Sequence, residues 1–216
     1  MNLGTLFGGL ADVGGTHNRR GGPRLDEVVV EEHRGSAKIA VVPVEGVISG
    51  HLGDRGGYSM VEVIKAQLER ADKDDDVKAV LLRVDSPGGE VLASDEIARY
   101  IRKFQEHSSK PVVVSMGSLA ASGGYYVSAP CDWIVANELT ITGSIGVIMH
   151  GWNYRGLMNK VGLKPVVFKS GKFKDMLSGD RREEDITKEE RQMMQALIDE
   201  TYGRFKTVVR EGRALA

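Results

Sequence analysis

The sequence predicts an α/β domain built on a largely parallel sheet, and three observations carry that expectation. Runs of strand length and almost wholly apolar character recur at Ile39–Val47, Ala79–Val84 and Val112–Val114; strands this apolar suit a sheet covered on both faces. Segments with apolar residues at helical spacing separate them. The links are short, and strands alternating with helices over short links are the pattern of a parallel α/β sheet.

Each element has its own warrant. Residues 1–37 read as a flexible leader without a transmembrane helix, and residues 38–216 as the folded domain. Met1 to Arg24 holds seven glycines and little periodicity. Its longest apolar stretch, around Leu6 to Ala11, is broken by Gly8 and Gly9 and falls far short of the roughly 20 residues a spanning helix needs. Arg19 and Arg20 precede no apolar run, so neither a twin-arginine nor a Sec signal is visible. The first strand follows. Ser59 and Glu62 then form a capping box, with Met60, Val63, Ile64, Leu68 and Ala71 at helical spacing up to the acidic break at Asp72 to Asp76. Ala93, Ile97, Tyr100, Ile101 and Phe104 mark a second helix. Beyond the third apolar run, Trp133–Ala136 reads as a strand and Thr140–Met149 as a strand bent at Gly143 and Gly146. Arg155–Gly162 reads as a short helix and Pro165–Phe168 as another strand. Thr187 and Glu190 repeat the capping box, opening a long helix striped by Met194, Leu197, Ile198, Thr201, Phe205, Val208 and Val209.

Composition excludes several function classes. The 216 residues are 41% hydrophobic and 27% charged, ordinary for a soluble globular domain, and a net charge of −1 gives no electrostatic footprint for nucleic acid. The single cysteine, Cys131, excludes an internal disulfide and a cysteine-rich metal site. No cluster of His, Cys and carboxylates has ligand spacing, and no Gly-Lys-Ser/Thr phosphate loop is present. No metal or organic cofactor is expected.

The chemistry concentrates in Ser115 to Asp132, SMGSLAASGGYYVSAPCD. A buried strand ends in small residues, meets a serine followed at once by two glycines, and turns into a helix. That is how a chain presents a nucleophile: Ser122 stands at the corner, Gly123 and Gly124 let the backbone close on a substrate carbonyl, and helix N-terminal amides favour negative charge. The bland reading of the same run is a tight helix–sheet contact with an ordinary turn. At the carboxyl end of the second strand, Asp85-Ser-Pro-Gly-Gly-Glu90 lies where α/β folds place ligands, so Gly89 is a candidate oxyanion donor beside Gly123; its bland reading is a plain connection. A serine nucleophile needs a base. The loop Lys169-Ser-Gly-Lys-Phe-Lys-Asp175 offers three lysines, and His51 and His150 follow apolar segments that could approach a site; His17, His33 and His107 read as surface residues.

Together, DSPGG at Asp85–Gly89, GSLAASGGYYVSAPCD from Gly117, TGSIGV from Thr142 and SGKFKDMLS from Ser170 resemble the signal peptide peptidase A family of serine/lysine peptidases. The resemblance runs from Lys38 to Arg213 in order. It implies the Clp protease/crotonase fold, a spiral of repeated β-β-α units. It matches Ser122 to the nucleophile and Lys174, 52 positions later, to the general base. Ser144 matches the hydroxyl that orients the lysine, and Gly89 and Gly123 the backbone donors of the oxyanion hole. Lys169 and Lys172 match no catalytic position. A lysine with an ordinary pKa near 10.4 is protonated at neutral pH, so the implied base needs an apolar pocket, and Asp175 must point away from it. The resemblance further implies peptide substrates such as signal peptide remnants, a homo-oligomeric ring with serine and lysine meeting across subunits, and the extracytoplasmic face of a bacterial or archaeal membrane. Two departures go with it. The leader carries no anchor, which leaves a soluble cytoplasmic form as the alternative, and the chain is expected to lack the C-terminal end of the family domain. A crotonase-type acyl-CoA enzyme would need no Ser122/Lys174 pair, whereas an inactive peptide-binding scaffold would lose one of them. A prohead-type protease shares the chemistry.

Overall fold

The computed structural model describes residues 5–8, 22–32, 35–51 and 57–214. They form two units, one comprising residues up to Ile145 together with Phe205 onward, the other Gly146–Arg204. The first unit holds a sheet of seven strands: β1 (Thr5–Gly8), β2 (Asp26–Val29), β3 (Lys38–Glu45), β4 (Val77–Ser86), β5 (Val112–Ala121), β6 (Trp133–Val135) and β7 (Ile141–Gly143). Their order is β2-β1-β3-β4-β5-β6, and every pairing except β1–β2 is parallel. The strand β6 runs beside Val113–Ser115 of β5, and β7 beside Leu119–Ala121, so the two share one edge of β5 in succession. The α/β class with a parallel sheet is as the sequence predicts.

Two strands fall inside the stretch expected to be a loose leader, since β1 joins β3 and β2 joins β1. Most of that stretch lies outside the described residues. Among the described residues, no helix is long and apolar enough to cross a membrane.

The helices form where capping and periodicity place them. Helix α1 (Met60–Lys73) opens on the Ser59/Glu62 box: the Glu62 N–H donates to the Ser59 hydroxyl at 3.3 Å and the Ser59 N–H to the Glu62 carboxylate at 2.8 Å. At its other end the Lys110 ammonium donates to the carbonyls of Ala71, Asp72 and Asp74 at 2.8, 3.0 and 2.9 Å, satisfying groups the helix cannot bond itself. Its apolar face, Val61, Ile64, Leu68 and Ala71, joins Ile97, Ile101 and Phe104 of α2 (Val91–Ser108) over Val80, Leu82 and Val84 of β4 in one core.

Covering of the sheet differs from the expectation of two closed faces. Along β4, Val80, Leu82, Val84 and Ser86 are buried, whereas Lys78, Arg83 and Asp85 on the opposite face are exposed. Arg83 pairs there with Glu45 of β3, a charge pair that water tolerates and a packed layer would not.

The second unit carries α4 (Arg155–Lys160), a 3-10 turn at Glu183–Asp185 and the first part of α5 (Lys188–Gly212). Two expected strands change here. Only Ile141–Gly143 of the Thr140–Met149 run is a strand, and Pro165–Phe168 makes no ladder, with Phe168 93% exposed. A strand needs a neighbour for its backbone groups, and no strand lies among the described residues of that unit. Helix α5 does open on the expected box: the Thr187 N–H donates to Glu190 at 2.7 Å, and Arg181 adds a pair to the same carboxylate at 2.6 Å. The last part of α5 buries Phe205, Val208 and Val209 against Ala98, Tyr126 and Ala129. Gly212 lies so close to α3 (Gly123–Ser128) and the turn after it that an added Cβ would meet the Ala129 carbonyl at 2.1 Å.

Arg181 and the Thr187 N–H hold the Glu190 carboxyl down to about 2 from 4.5. A depressed carboxylate contributes stability that is complete above its unfolded value and is lost as pH falls through the folded one. Thermal unfolding of wild type is therefore expected to weaken between about pH 4.5 and pH 2 more steeply than that of Glu190→Gln. Other acids titrate in that window, so the informative quantity is the difference between the two proteins. Parallel curves would remove Glu190 as a source of acid sensitivity.

Candidate active site

Strand β5 delivers the chain to Ser122, whose φ of 53° and ψ of −119° are unusual for a residue with a side chain. The turn is fixed at both ends. The Ser122 N–H donates to the Gly143 carbonyl at 2.9 Å, and its own carbonyl accepts the Tyr126 N–H at 2.9 Å in the first turn of α3. The cost of the strained corner is thus carried by a strand contact on one side and a helix on the other. Tyr126 in turn donates its hydroxyl to Asp95 of α2 at 2.7 Å and packs edge-on against Phe205.

The Pro-Gly-Gly turn after β4 interlocks with this corner. Gly88, at φ +95°, lies where an added Cβ would meet the Gly123 nitrogen at 2.5 Å and the Ser122 Cβ at 2.8 Å. A Cβ on Gly123 would meet the Ser94 hydroxyl at 2.5 Å and the Gly89 nitrogen at 3.2 Å. A Cβ on Gly89 would strike the Ile48 carbonyl oxygen at 2.0 Å. Only glycines allow the three backbones to approach this closely.

Pairing with Ile48 also aims the Gly89 amide. The Ile48 N–H donates to Gly88 at 2.9 Å and the Glu90 N–H to Ile48 at 2.8 Å, a parallel bridge that uses the groups on either side of Gly89. By strand alternation the Gly89 N–H faces the other way. Among the described residues neither the Gly89 nor the Gly123 N–H has an acceptor. The next carboxylate, Glu90, accepts the Ser49 hydroxyl at 2.5 Å and the Gly50 N–H at 3.0 Å, and these bonds hold its carboxyl below the usual range.

Of the residues singled out from sequence, Ser122, Gly89 and Gly123 stand together in the first unit, and exposed Ser144 (φ 52°) follows the Gly143 carbonyl that holds Ser122. Lys174 belongs to the second unit, on a turn closed by its N–H to the Gly171 carbonyl at 3.3 Å, and is exposed. Its neighbours are committed elsewhere: Lys169 pairs with Asp175 at 2.8 Å and Lys172 with Glu189 at 2.5 Å. Lys174 has no carboxylate partner among the described residues. Asp175, whose carboxyl is lowered chiefly by its hydrogen bond to Lys169, also faces Arg181 at 3.8 Å. His51 and His150 are both exposed, one in each unit. Two participants escaped the sequence reading. Gly88 was one half of a glycine pair in which only Gly89 was singled out, and the Gly143 carbonyl acts through a strand pairing that no spacing reveals.

The model of peptidase family S49 matches residues 104–216. A protein of Methanocaldococcus jannaschii described as a protease is 48% identical over 69% of this chain and 46% of its own length. One of Enterococcus faecium described as a signal peptide peptidase is 39% identical over 89% of this chain and 56% of its own. Protease 4 of Haemophilus influenzae is 36% identical over 87% and 29%. The chain spans about half the length, or less, of these relatives. With a matched family model over the half of the sequence that carries Ser122, and the α/β architecture of the Clp protease/crotonase class around it, the chain belongs to peptidase family S49.

Proposed function

We propose that this chain is a serine peptidase in which Ser122 is the nucleophile and Lys174 the general base, acting on signal peptide remnants and other short or unfolded peptides. The observation that carries the reading is the strained Ser122 corner flanked by two amides without acceptors, at Gly89 and Gly123. In the reaction, the neutral Lys174 amine takes the Ser122 hydroxyl proton as the oxygen attacks the scissile carbonyl. The two amides stabilise the oxyanion that forms, an interaction worth more in the transition state than in the ground state. Lys174 then returns its proton to the leaving amine, and water attacks the acyl-enzyme by the same route. Ser144 orients the lysine.

Lys174 is favoured over Lys169 and Lys172 because both of those are already engaged by carboxylates, Asp175 and Glu189. Its exposure within one chain is compatible with a base only if something covers it. We assign that cover to a neighbouring copy in a homo-oligomeric ring, so that serine and lysine meet across a subunit boundary. Action at the extracytoplasmic membrane face belongs to the same proposal.

A fluorophosphonate that phosphonylates activated serines, followed by peptide mapping, tests the nucleophile. The adduct is expected on Ser122 and to vanish in Ser122→Ala. An adduct on another serine, or turnover that persists in Ser122→Ala, would remove Ser122 from the mechanism.

A further inference from the structure

The ladder between β4 and β5 is interrupted just before the active serine. Pairing is one-to-one up to Val84 and Met116 and resumes at Ser86 and Ala120, so a single residue of β4, Asp85, faces Gly117, Ser118 and Leu119. Such a bulge strips backbone groups of their ladder partners, and it ends three residues before Ser122, where bulges serve to re-aim a chain. Side chains fill the gaps. The Thr140 hydroxyl donates to the Gly117 carbonyl at 2.9 Å and the Thr142 hydroxyl to the Ala120 carbonyl at 2.8 Å, while the Leu119 N–H donates to the Asp85 carboxylate at 3.1 Å.

We propose that Asp85 is a positioning residue for peptide hydrolysis, its carboxylate holding the β5 bulge in the form that sets Ser122 against the Gly88–Gly89 turn. The inference rests on Ser122 being the nucleophile. Three observations join in it. Of the bulge contacts, the one from Asp85 reaches across to the strand that three residues later becomes that turn, where the Gly88 N–H is taken by the Ser86 hydroxyl at 3.0 Å. The Asp85 side chain lies directly over the bulge, since an added Cβ on Gly117 would meet its Cγ at 2.8 Å. Its main chain is fixed as well, accepting the Gly46 N–H at 2.9 Å. A carboxylate so anchored acts as the missing strand carbonyl: it takes an N–H that the interrupted ladder cannot, and ties the strand of the nucleophile to the strand of the oxyanion donor. Without it, Leu119 loses its acceptor and the bulge can relax toward an unbroken ladder, which moves Ser122 relative to Gly88 and Gly89.

The experiment compares wild type, Asp85→Ala, Asp85→Asn and Ser122→Ala below the melting temperature of each. It reads kcat and KM on a fluorogenic peptide and the rate of phosphonylation by a fluorophosphonate. Asp85→Ala is expected to lower kcat and the phosphonylation rate together by about 10- to 100-fold, with KM little changed, the scale of a displaced catalytic group. Asp85→Asn keeps an acceptor oxygen and should recover most of that loss. A role confined to stability would lower Tm and leave the folded protein's phosphonylation rate intact, so a wild-type rate in Asp85→Ala overturns the inference. So does an Asp85→Asn as slow as Asp85→Ala. If Asp85→Ala does not fold, Gly117→Ala, whose Cβ displaces the carboxylate, should reproduce the kinetic loss, and a wild-type rate there overturns it equally. Labelling that persists in Ser122→Ala, or fails in wild type, overturns instead the nucleophile reading beneath it.

Discussion

Gly88→Ala is expected to reduce kcat about 1,000-fold in a protein that remains folded. The position combines two constraints that a methyl group violates at once. Its φ of +95° strains any residue with a Cβ, and the added carbon would sit 2.5 Å from the Gly123 nitrogen and 2.8 Å from the Ser122 Cβ. Relief requires the glycine turn and the serine corner to separate. Separation displaces the Gly89 amide, crowds the Gly123 amide and shifts the nucleophile, and loss of a single oxyanion donor already costs about 100- to 1,000-fold. Gly88, Ser122 and Gly123 are not among the residues of the core that α1, β4 and α2 build, which is why a folded but inactive protein is the expected result. A kcat close to wild type, measured with Tm on the same preparation, would mean that the two glycine turns do not cooperate in the reaction.

Lys174→Ala should lower kcat by up to about 10,000-fold, the upper range for a general base. Lys169→Ala and Lys172→Ala should have much smaller effects, because each side chain is already held by a carboxylate. If the base comes from a neighbouring copy, co-assembly of inactive Ser122→Ala chains with inactive Lys174→Ala chains restores part of the activity, since some interfaces then pair an intact serine with an intact lysine. Mixed rings without recovered activity would place both groups in one chain.

Much of this architecture is legible in the sequence because its signals are local. The Ser59/Glu62 and Thr187/Glu190 boxes mark two helix starts, and the apolar runs mark β3 and β4. Where structure depends on a distant partner, local signals fail. The apolar run marks only Val112–Val114, and the strand's extension through small residues to the serine corner, expected from the sequence, is held in β5 to Ala121 by pairing with β4 and β7. Pro165–Phe168 has the composition of a strand and, among the described residues, no partner to make it one. The site divides the same way. Ser122, Gly123 and Gly89 stand out from their neighbours in sequence, whereas the roles of Gly88, the Gly143 carbonyl and Asp85 arise only when β4, β5 and β7 are brought side by side. The three loop lysines have near-identical surroundings in sequence, and what separates them is which carboxylates fold back onto Lys169 and Lys172.

Activation of a serine by a lysine is tested most directly by hydrolysis of a fluorogenic peptide with a small apolar residue at the cleavage position. Wild type, Ser122→Ala and Lys174→Ala would be compared between about pH 6 and pH 10. Both variants are expected to be inactive, and wild-type activity to rise with pH as the base that activates Ser122 loses its proton. Activity that survives in Lys174→Ala while Ser122→Ala is dead would contradict a lysine base and transfer the proton to His51 or His150.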